Sequence, residues 1–392
     1  REVARRRNIS QASTRIHLSQ PAITQAIAKL ERTLDIALFE RRSDGMYVTP
    51  AGECFLARVD RALGFLERGA QLALQTAPRR QGRGFGNFDQ LLTSAQLRAL
   101  IAVSRAENFS LAAHQVGISQ PSLHRAARDL ERLAGVPLFE KVSQGIQLTP
   151  AAQALAQHAK LALSEMAQGD VEIDEHKGVD AARIVVGSLP LARTEVLPAA
   201  IDRLAEVRPD VQVSIVDGPY DDLLHGLRHG ELDFMIGALR DPVPIDDVVQ
   251  EPLFLDKLTV AARAGHPLDG KAAIDAATLT AYPWVAPRHG APTRTHIDAV
   301  FTRAGATPRL VETSSLVLAR ELLLRSDRLT IISAHQIRFE LSRGLLVALP
   351  FDLSGTDRPI GLTLRRNWQP TASQAAFLNA VRDAGAAAAA AQ

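Results

Sequence analysis

The period of the apolar positions changes near residue 180. Before it, apolar residues step by three and four; after it, short apolar runs alternate with helical stretches. In the front part Ile23, Ile27, Leu30 and Leu34 fall at helical spacing, which leaves Gln20, Thr24, Gln25 and Ala28 on the opposite face. Ser119 caps an equivalent helix with Pro121 in its first turn; Leu123, Ala127, Leu130 and Ala134 form its apolar stripe, and Gln120, His124, Arg125 and Arg128 its outward face. Ahead of it Ser110 is placed to cap a shorter helix carrying Ala112, Ala113 and Val116, with Gly117 at the turn. After each long helix the chain turns extended and basic, with Gly45 and Gly145 at hairpin tips and Arg41, Arg42 and Lys141 on the flanks. Thr49 and Thr149 then open long helices at Pro50 and Pro150. The first carries a seam of Leu56, Val59, Leu63, Leu66, Ala70 and Ala73. The second has Ala156, Ala159, Leu163, Met166, Asp170 and Ile173 in the same register, and its seam is expected to end near Met166.

The two halves of this front part are copies. Ser19-Gln20-Pro21 recurs as Ser119-Gln120-Pro121, Leu30-Glu31-Arg32 as Leu130-Glu131-Arg132, Leu38-Phe39-Glu40 as Leu138-Phe139-Glu140 and Thr49-Pro50-Ala51 as Thr149-Pro150-Ala151. Four triplets in one ungapped register of 100 residues indicate a duplicated module. Arg1 aligns with Ile101, so copy one is expected to lack most of the helix that copy two carries from Ser94 to Ala106.

From residue 183 the pattern reads as strand Ile184–Gly187, helix Val196–Leu204, strand Val211–Val216, helix Asp222–Gly230 and strand Leu232–Gly237, a βαβαβ unit with a parallel sheet. A second unit runs from Tyr282–Ala286 through a helix from Thr295, a strand near Leu310 and a helix from Leu316 to a strand over Leu329–Ile332. Leu258–Ala262 and Leu345–Leu349 are expected to cross between the lobes. In open α/β sheets ligands sit at the carboxyl ends of strands, often on helix N-termini. Ser188, Thr313 and Ser314 are therefore candidates to hydrogen-bond a ligand, Arg193, Arg288 or Arg294 to pair with a carboxylate, and Leu189, Gly218 and Gly237 to line the same loops. Ser188 and Thr313 equally suit capping of their own helices. The Ala384–Ala391 tract is expected to fray.

The 392 residues exceed what one core of ~250–300 residues organises, and no apolar stretch approaches the ~18 residues of a membrane span. The single cysteine, Cys54, in the first turns of a linker helix, points to a reducing cytoplasm and a packing role. The net charge of +2 hides an asymmetry. Residues 1–168 hold 22 Lys+Arg against 14 Asp+Glu, a net of +8, and residues 169–392 hold 23 against 29, a net of −6. A basic front on an acidic rear suits a polyanion partner. No Gly-x-Ser-x-Gly elbow, His-Glu-x-x-His or cysteine pair is present, and the Gly/Arg-rich stretch 77–88 lacks a phosphate-loop ending. His225 and His229 read as an exposed helix face rather than a metal site. No metal, cofactor or catalytic set is called for.

Helix, turn, Ser-Gln-Pro helix, Leu-Phe-Glu, wing, Thr-Pro and linker helix in this order, over residues 8–76 and 108–168, resemble the winged helix-turn-helix of LysR-type transcriptional regulators. That family normally carries one such module per chain, and the departure here is the duplication. The rear resembles the family's periplasmic-binding-protein-like effector domain. Gly187-Ser188-Leu189-Pro190-Leu191-Ala192-Arg193, Asp217-Gly218-Pro219-Tyr220 and Gly265-His266-Pro267-Leu268 are nearest its galactose-binding-protein regulator subgroup.

The expected architecture is multidomain: two all-α winged helix-turn-helix modules with long linker helices, then a two-lobed α/β periplasmic-binding-protein-like effector domain. The bounds are 1–49 (N-terminally incomplete) with linker helix 50–76, a flexible tether 77–90, 91–149 with linker helix 150–176, and 182–385, whose lobe I is 183–264 with 351–385 and lobe II 265–350. The resemblance implies a cytoplasmic, sequence-specific regulator that reads double-stranded DNA through Gln20, Pro21, Thr24, Gln25, Arg41, Arg42, Gln120, Pro121, His124, Arg125, Arg128 and Lys141. It implies a small effector, a sugar or organic acid, between the lobes. Partners beyond these are further copies of the chain, as dimer or tetramer, and no membrane. The two linker helices of one chain can also pair internally, since twelve flexible residues span roughly 20 Å. A stand-alone solute-binding protein and an enzyme on a two-lobed α/β fold are the alternatives.

Overall fold

A computed structural model describes residues 1–76, 85, 87–106, 108–143, 145–180 and 182–390. It divides into two compact units, residues 1–182 with 228–231, and the rest.

The first unit opens with α1 (Glu2–Arg6), α2 (Ile9–Ile16), α3 (Gln20–Leu34), β1 (Phe39–Arg42), β2 (Gly45–Val48) and α4 (Pro50–Thr76). A 3₁₀ turn over Phe88–Leu91 precedes α5 (Ser94–Ala106), α6 (Phe109–Val116), α7 (Gln120–Ala134), β3 (Phe139–Val142), β4 (Gly145–Leu148) and α8 (Pro150–His176). From α3 to α4 every element recurs 100 residues on with the same bounds, and α1 matches only the last turns of α5. The repeated triplets have one local cause each. Ser19 and Ser119 accept the amides of Ala22 and Ser122 at the helix starts. Glu31 accepts both Leu38 N and Phe39 N, at 2.9 and 3.0 Å, and Glu131 does the same for Leu138 and Phe139 at 2.9 and 3.1 Å, so one carboxylate fixes the wing to the long helix. Thr49 and Thr149 donate to the carbonyls of Ala37 and Pro137 and accept the amides of Gly52 and Ala152. The short helices are capped by Asn8 and Asn108 and not by Ser110, whose own amide donates to Asn108; asparagine tolerates the extended cap backbone and reaches the first-turn amides.

Copy two has the larger core, in which Leu100, Val103, Phe109, Leu123, Leu130, Leu138 and Leu155 are buried around Phe88. Full burial of one such side chain stabilises by about 1.5–3 kcal/mol. In copy one Ile23 and Leu34 are buried, Ile27 half so, and Leu30 exposed. Its core is split between Val3, Ala12, Ile23 and Met46 on one side and Leu34, Leu38, Ala51, Phe55 and Ile173 on the other. Ile173 comes from α8, so copy one completes its core with the linker helix of copy two.

That follows from the packing of α4 against α8. Early turns of α4 meet late turns of α8 and the reverse: Gly69 lies against His158 and Leu155, and Gly169 against Phe55 and Arg58. The helices run antiparallel. Two expectations change. The buried line of α4 is Ala51, Gly52, Phe55, Arg58, Ala62, Gly69, Ala70 and Ala73, which keeps the last two positions of the expected seam, Ala70 and Ala73, while Leu56, Val59, Leu63 and Leu66 are only half-buried. The seam of α8 continues past Met166 through Gln168 and Gly169 to Ile173, although Leu163 and Asp170 are exposed. Close approach at the glycines and pairing of Arg58 set this register, and neither registers as hydrophobic. Residues 77–84 and 86 of the expected tether lie outside the described residues, and its far end is ordered, since Phe88 is buried in the core of copy two.

The second unit contains β5 (Arg183–Ser188), α9 (Val196–Val207), β6 (Gln212–Asp217), α10 (Tyr220–Arg228), β7 (Phe234–Ala238), β8 (Val248–Asp256), β9 (Leu258–Arg263), α11 (Ala276–Thr280), β10 (Trp284–Ala286), α12 (Pro292–Ala304), β11 (Leu310–Glu312), α13 (Leu316–Leu324), β12 (Thr330–Ser333), α14 (Arg338–Ser342), β13 (Leu346–Leu349), β14 (Arg358–Arg365) and α15 (Ala372–Ala390). Lobe I is a sheet of order β6-β5-β7-β14-β8, parallel over β6, β5 and β7, with β14 antiparallel to both its neighbours. In lobe II, β9 stands between antiparallel β12 and β13, and the parallel pair β10·β11 joins through a bridge from Trp284 to Leu329. The lobe boundary therefore falls at Lys257 and not at residue 264. Leu258, Val260 and Ala262 bury one face of β9 in the lobe II core and Ala261 the other, which only a central strand there permits. The alanine tract does not fray within the described residues, because it continues α15 and buries Ala384 and Ala388 against lobe I.

Candidate DNA interface and effector cleft

Helices α3 and α7 both present polar faces. Gln20, Pro21 and Gln25 are exposed and Thr24 half-buried on α3; Gln120, Pro121, His124, Arg125 and Arg128 are exposed on α7. Gln20 Nε2 donates to Ser10 Oγ at 3.2 Å, tying the start of α3 to α2, and Thr24 Oγ1 donates back to the Gln20 carbonyl at 3.0 Å. On α7 the His124 ring packs on Phe109, centroids 5.0 Å apart. Arg128 pairs with Glu131 at 2.5 Å, the same carboxylate that holds the wing. The first face is neutral and the second cationic. An α-helix fits the major groove, where arginine pairs with guanine and glutamine with adenine.

Arg41, Arg42 and Lys141 are exposed on the wings. The sequence reading missed Tyr47. Its ring lies under two guanidiniums, Arg7 at 5.1 Å and Arg42 at 4.6 Å, and its hydroxyl donates to Asp44 at 2.6 Å. That bond holds the Asp44 carboxyl below its ordinary range and raises the Tyr47 phenol. A basic tripeptide facing an aromatic residue forty positions on carries no periodicity that would signal this contact. Arg5 and Arg6 are instead paired with Glu2.

In the second unit Ser188 ends β5 fully buried; its hydroxyl donates to the Leu189 carbonyl, and its own carbonyl accepts Arg193 Nη2 at 2.7 Å. Arg193 also pairs with Asp217, just before Gly218, at 3.1 Å. Leu189 packs against Gly237, so these loops form one surface at the strand ends. In lobe II Arg294 is buried and engaged by Asp298, Glu312, the Pro287 carbonyl and His289. Arg288 and Ser314 are exposed, while Thr313 Oγ1 accepts the Ser315 amide at 3.1 Å. The lobes touch through Glu195, which pairs with His335 at 3.3 Å and with Arg338, and through Arg358, which reaches Thr293 at 3.3 Å and Asp256 at 2.9 Å. Asp256 is itself fully buried and accepts Ser333 Oγ at 2.5 Å.

His225 is exposed on α10 and His229 lies beyond its end; among the described residues no three potential ligands gather for a metal. Cys54 is half-buried, and burial together with Glu172 raises its thiol. No helix among the described residues is long and apolar enough to cross a membrane.

The model of the bacterial regulatory helix-turn-helix protein, lysR family, matches residues 1–53 and again 94–153, and that of the LysR substrate binding domain matches residues 177–386. This chain belongs to the LysR family of transcriptional regulators. As a LysR-family regulator it combines helix-turn-helix DNA binding with an effector-binding domain, which removes the footing of a stand-alone solute-binding protein. It is 35% identical to the HTH-type transcriptional regulator GalR of Pseudomonas putida over 97% of this chain and 94% of that relative. It is 28% identical to the regulator PcaQ of Agrobacterium fabrum over 76% of this chain and 96% of that one. Among solved structures, a full-length OxyR variant from Pseudomonas aeruginosa matches with a TM-score of 0.54 at 26% identity, covering 75% of this chain and 94% of that one.

Proposed function

We propose that this LysR-family regulator reads one asymmetric DNA site with both winged helix-turn-helix modules of a single chain. The observation that carries the reading is the antiparallel pairing of α4 with α8, which joins two modules whose outward faces differ: Gln20, Thr24 and Gln25 on one, Gln120, His124, Arg125 and Arg128 on the other. Two recognition helices held one helical turn of duplex apart, ~34 Å, normally require two chains; here further copies, as dimer or tetramer, would add pairs rather than complete one. The similarity to GalR along nearly the whole chain, against 76% for PcaQ, supports treating the extra module as part of the working protein. Pro21, Pro121, Arg41, Arg42 and Lys141 then set helix starts and wing contacts to phosphate. The protein acts where the chromosome is, in the cytoplasm, and turns over no substrate.

The effector is a small sugar or carboxylate bound between the lobes near Ser188, Leu189, Gly218, Gly237, Thr313 and Ser314. Arg288 is the exposed cation near it and Arg193, held by the Ser188 carbonyl and Asp217, meets it in place of Asp217; Arg294, with its donors taken by Glu312 and Asp298, shapes the loop. A footprint of the full chain on the DNA beside its own gene tests the reading. Protection of two adjacent, unlike half-sites at one chain per site is expected, and a strict palindrome needing two chains overturns it.

A further inference from the structure

Between α4 and α8 lies a charged cluster that no DNA contact uses. Arg58, only 3% exposed, donates to Glu165 at 2.9 Å, to Gln168 at 2.7 Å and to both oxygens of Glu172 at 3.0 and 2.5 Å. Arg61 adds two bonds to Glu165 at 2.9 and 2.8 Å. Desolvation offsets most of the attraction in a buried cluster of this kind, so it contributes little net stability; the best-attested use of such a cluster is to choose partner and register.

The repeat shows which choice is made. At an offset of 100, Phe65, Arg68, Gly69 and Leu72 of α4 are the counterparts of Glu165, Gln168, Gly169 and Glu172 of α8. Gly69 faces His158 and Leu155, and Gly169 faces Arg58 and Phe55, the counterpart positions. The backbone approach would therefore serve two copies of α4, or two of α8, as well as the mixed pair. The charges would not. In an α4·α4 pair Arg58 would face Phe65, Arg68 and Leu72 and meet no carboxylate. In an α8·α8 pair His158 and Leu161 would stand where Arg58 and Arg61 stand, leaving Glu165 and Glu172 facing no arginine.

We infer that Arg58 and Arg61 on α4 with Glu165 and Glu172 on α8 form a partner code: α4 accepts α8 and rejects a second α4, because either like pairing buries charge without its counter-charge. The code rests on the reading that both modules of one chain act together. It explains how a duplicated module, still alike in backbone, pairs with its sister copy rather than with its twin on another molecule.

The test uses the full chain with Cys54→Ser, Phe65→Cys and His158→Cys, since the two replaced rings lie 6.4 Å apart across the helices. A short bismaleimide joins the thiols, and a denaturing gel separates the internally bridged chain, whose loop shifts its migration, from the unbridged chain and from any double-mass product. The parent should cross-link at single-chain mass. Arg58→Glu with Arg61→Glu, or Glu165→Arg with Glu172→Arg, should each lower that band at least about tenfold. All four together should restore it, and co-expressing the two reversed chains should give a double-mass band that neither gives alone. Indifference of the single reversals, failure of the four-fold exchange to restore, or restoration without any double-mass product each overturns the code. A parent band at double mass instead overturns the single-chain reading beneath it.

Discussion

Three glycine-to-alanine substitutions in the linker helices separate propensity from packing. Alanine in a helix interior is favoured over glycine by about 0.8–1.0 kcal/mol. A Cβ at Gly64 meets nothing within 4 Å, so Gly64→Ala should stabilise α4 by about that amount. At Gly169 the Cβ lies 3.2 Å from Phe55 Cδ2 and 3.3 Å from Arg58 Cβ, so neighbours give by a few tenths of an ångström and the change should be neutral within about 0.5 kcal/mol. At Gly69 the Cβ falls 2.6 Å from His158 Cβ, an atom fixed to the backbone of α8, so the helices must separate locally. Overpacking of that kind costs about 1–3 kcal/mol; after the propensity gain of about 0.8–1.0 kcal/mol, Gly69→Ala should destabilise the pair by up to about 2 kcal/mol. Hydrogen exchange of α4 peptides reads this without interference from the second unit, with protection expected to fall, by up to about thirtyfold, for Gly69→Ala and to rise for Gly64→Ala. Equal protection in both variants would refute the close approach at Gly69.

Replacing Arg125 and Arg128 by Ala should lower the salt slope of DNA binding by about one to two, since each phosphate contact contributes ~0.9, and an unchanged slope would remove α7 from the interface. Ser188→Val together with Thr313→Val should abolish the calorimetric signal of any metabolite that binds the full chain; undiminished binding would move the effector site elsewhere. Arg382 holds the Glu251 carboxyl below its ordinary range through two hydrogen bonds, so this pair stabilises the second unit above that range and the contribution is lost as pH falls through the folded value. Both side chains are more than a third exposed, so Arg382→Gln should flatten the acid limb of a denaturation profile by no more than about 0.5 kcal/mol, and a steeper limb would contradict the assignment.

The 100-residue repeat by itself determined both modules, the caps of their long helices and the polar faces of α3 and α7, though not the caps of the short helices, which are Asn8 and Asn108; the part it determined depends on local rules: an oxygen at a helix start, a glycine in a turn, an apolar stripe every three or four residues. The Ser-Gln-Pro and Thr-Pro triplets fall where the helices begin for that reason. The Leu-Glu-Arg triplet was legible as a repeat but its purpose was not, since Glu31 and Glu131 act on amides seven and eight residues away. Strands β8 and β14 escaped the sequence reading altogether. They pair with each other across about a hundred residues, and the pattern along each is set by that partner. Arg294 looked like a ligand cation at a strand-end loop, but Glu312 and Asp298, supplied by the fold, occupy it. The linker seam shows the limit most clearly. Hydrophobic spacing selects Leu56, Val59, Leu63 and Leu66, yet the buried line of α4 runs through Arg58 and Gly69. A buried arginine is tolerated only where carboxylates arrive to meet it, and a helical glycine is useful only where a second backbone comes close. Both conditions are properties of α8, about a hundred residues away in the chain, and exist only once the two helices are packed.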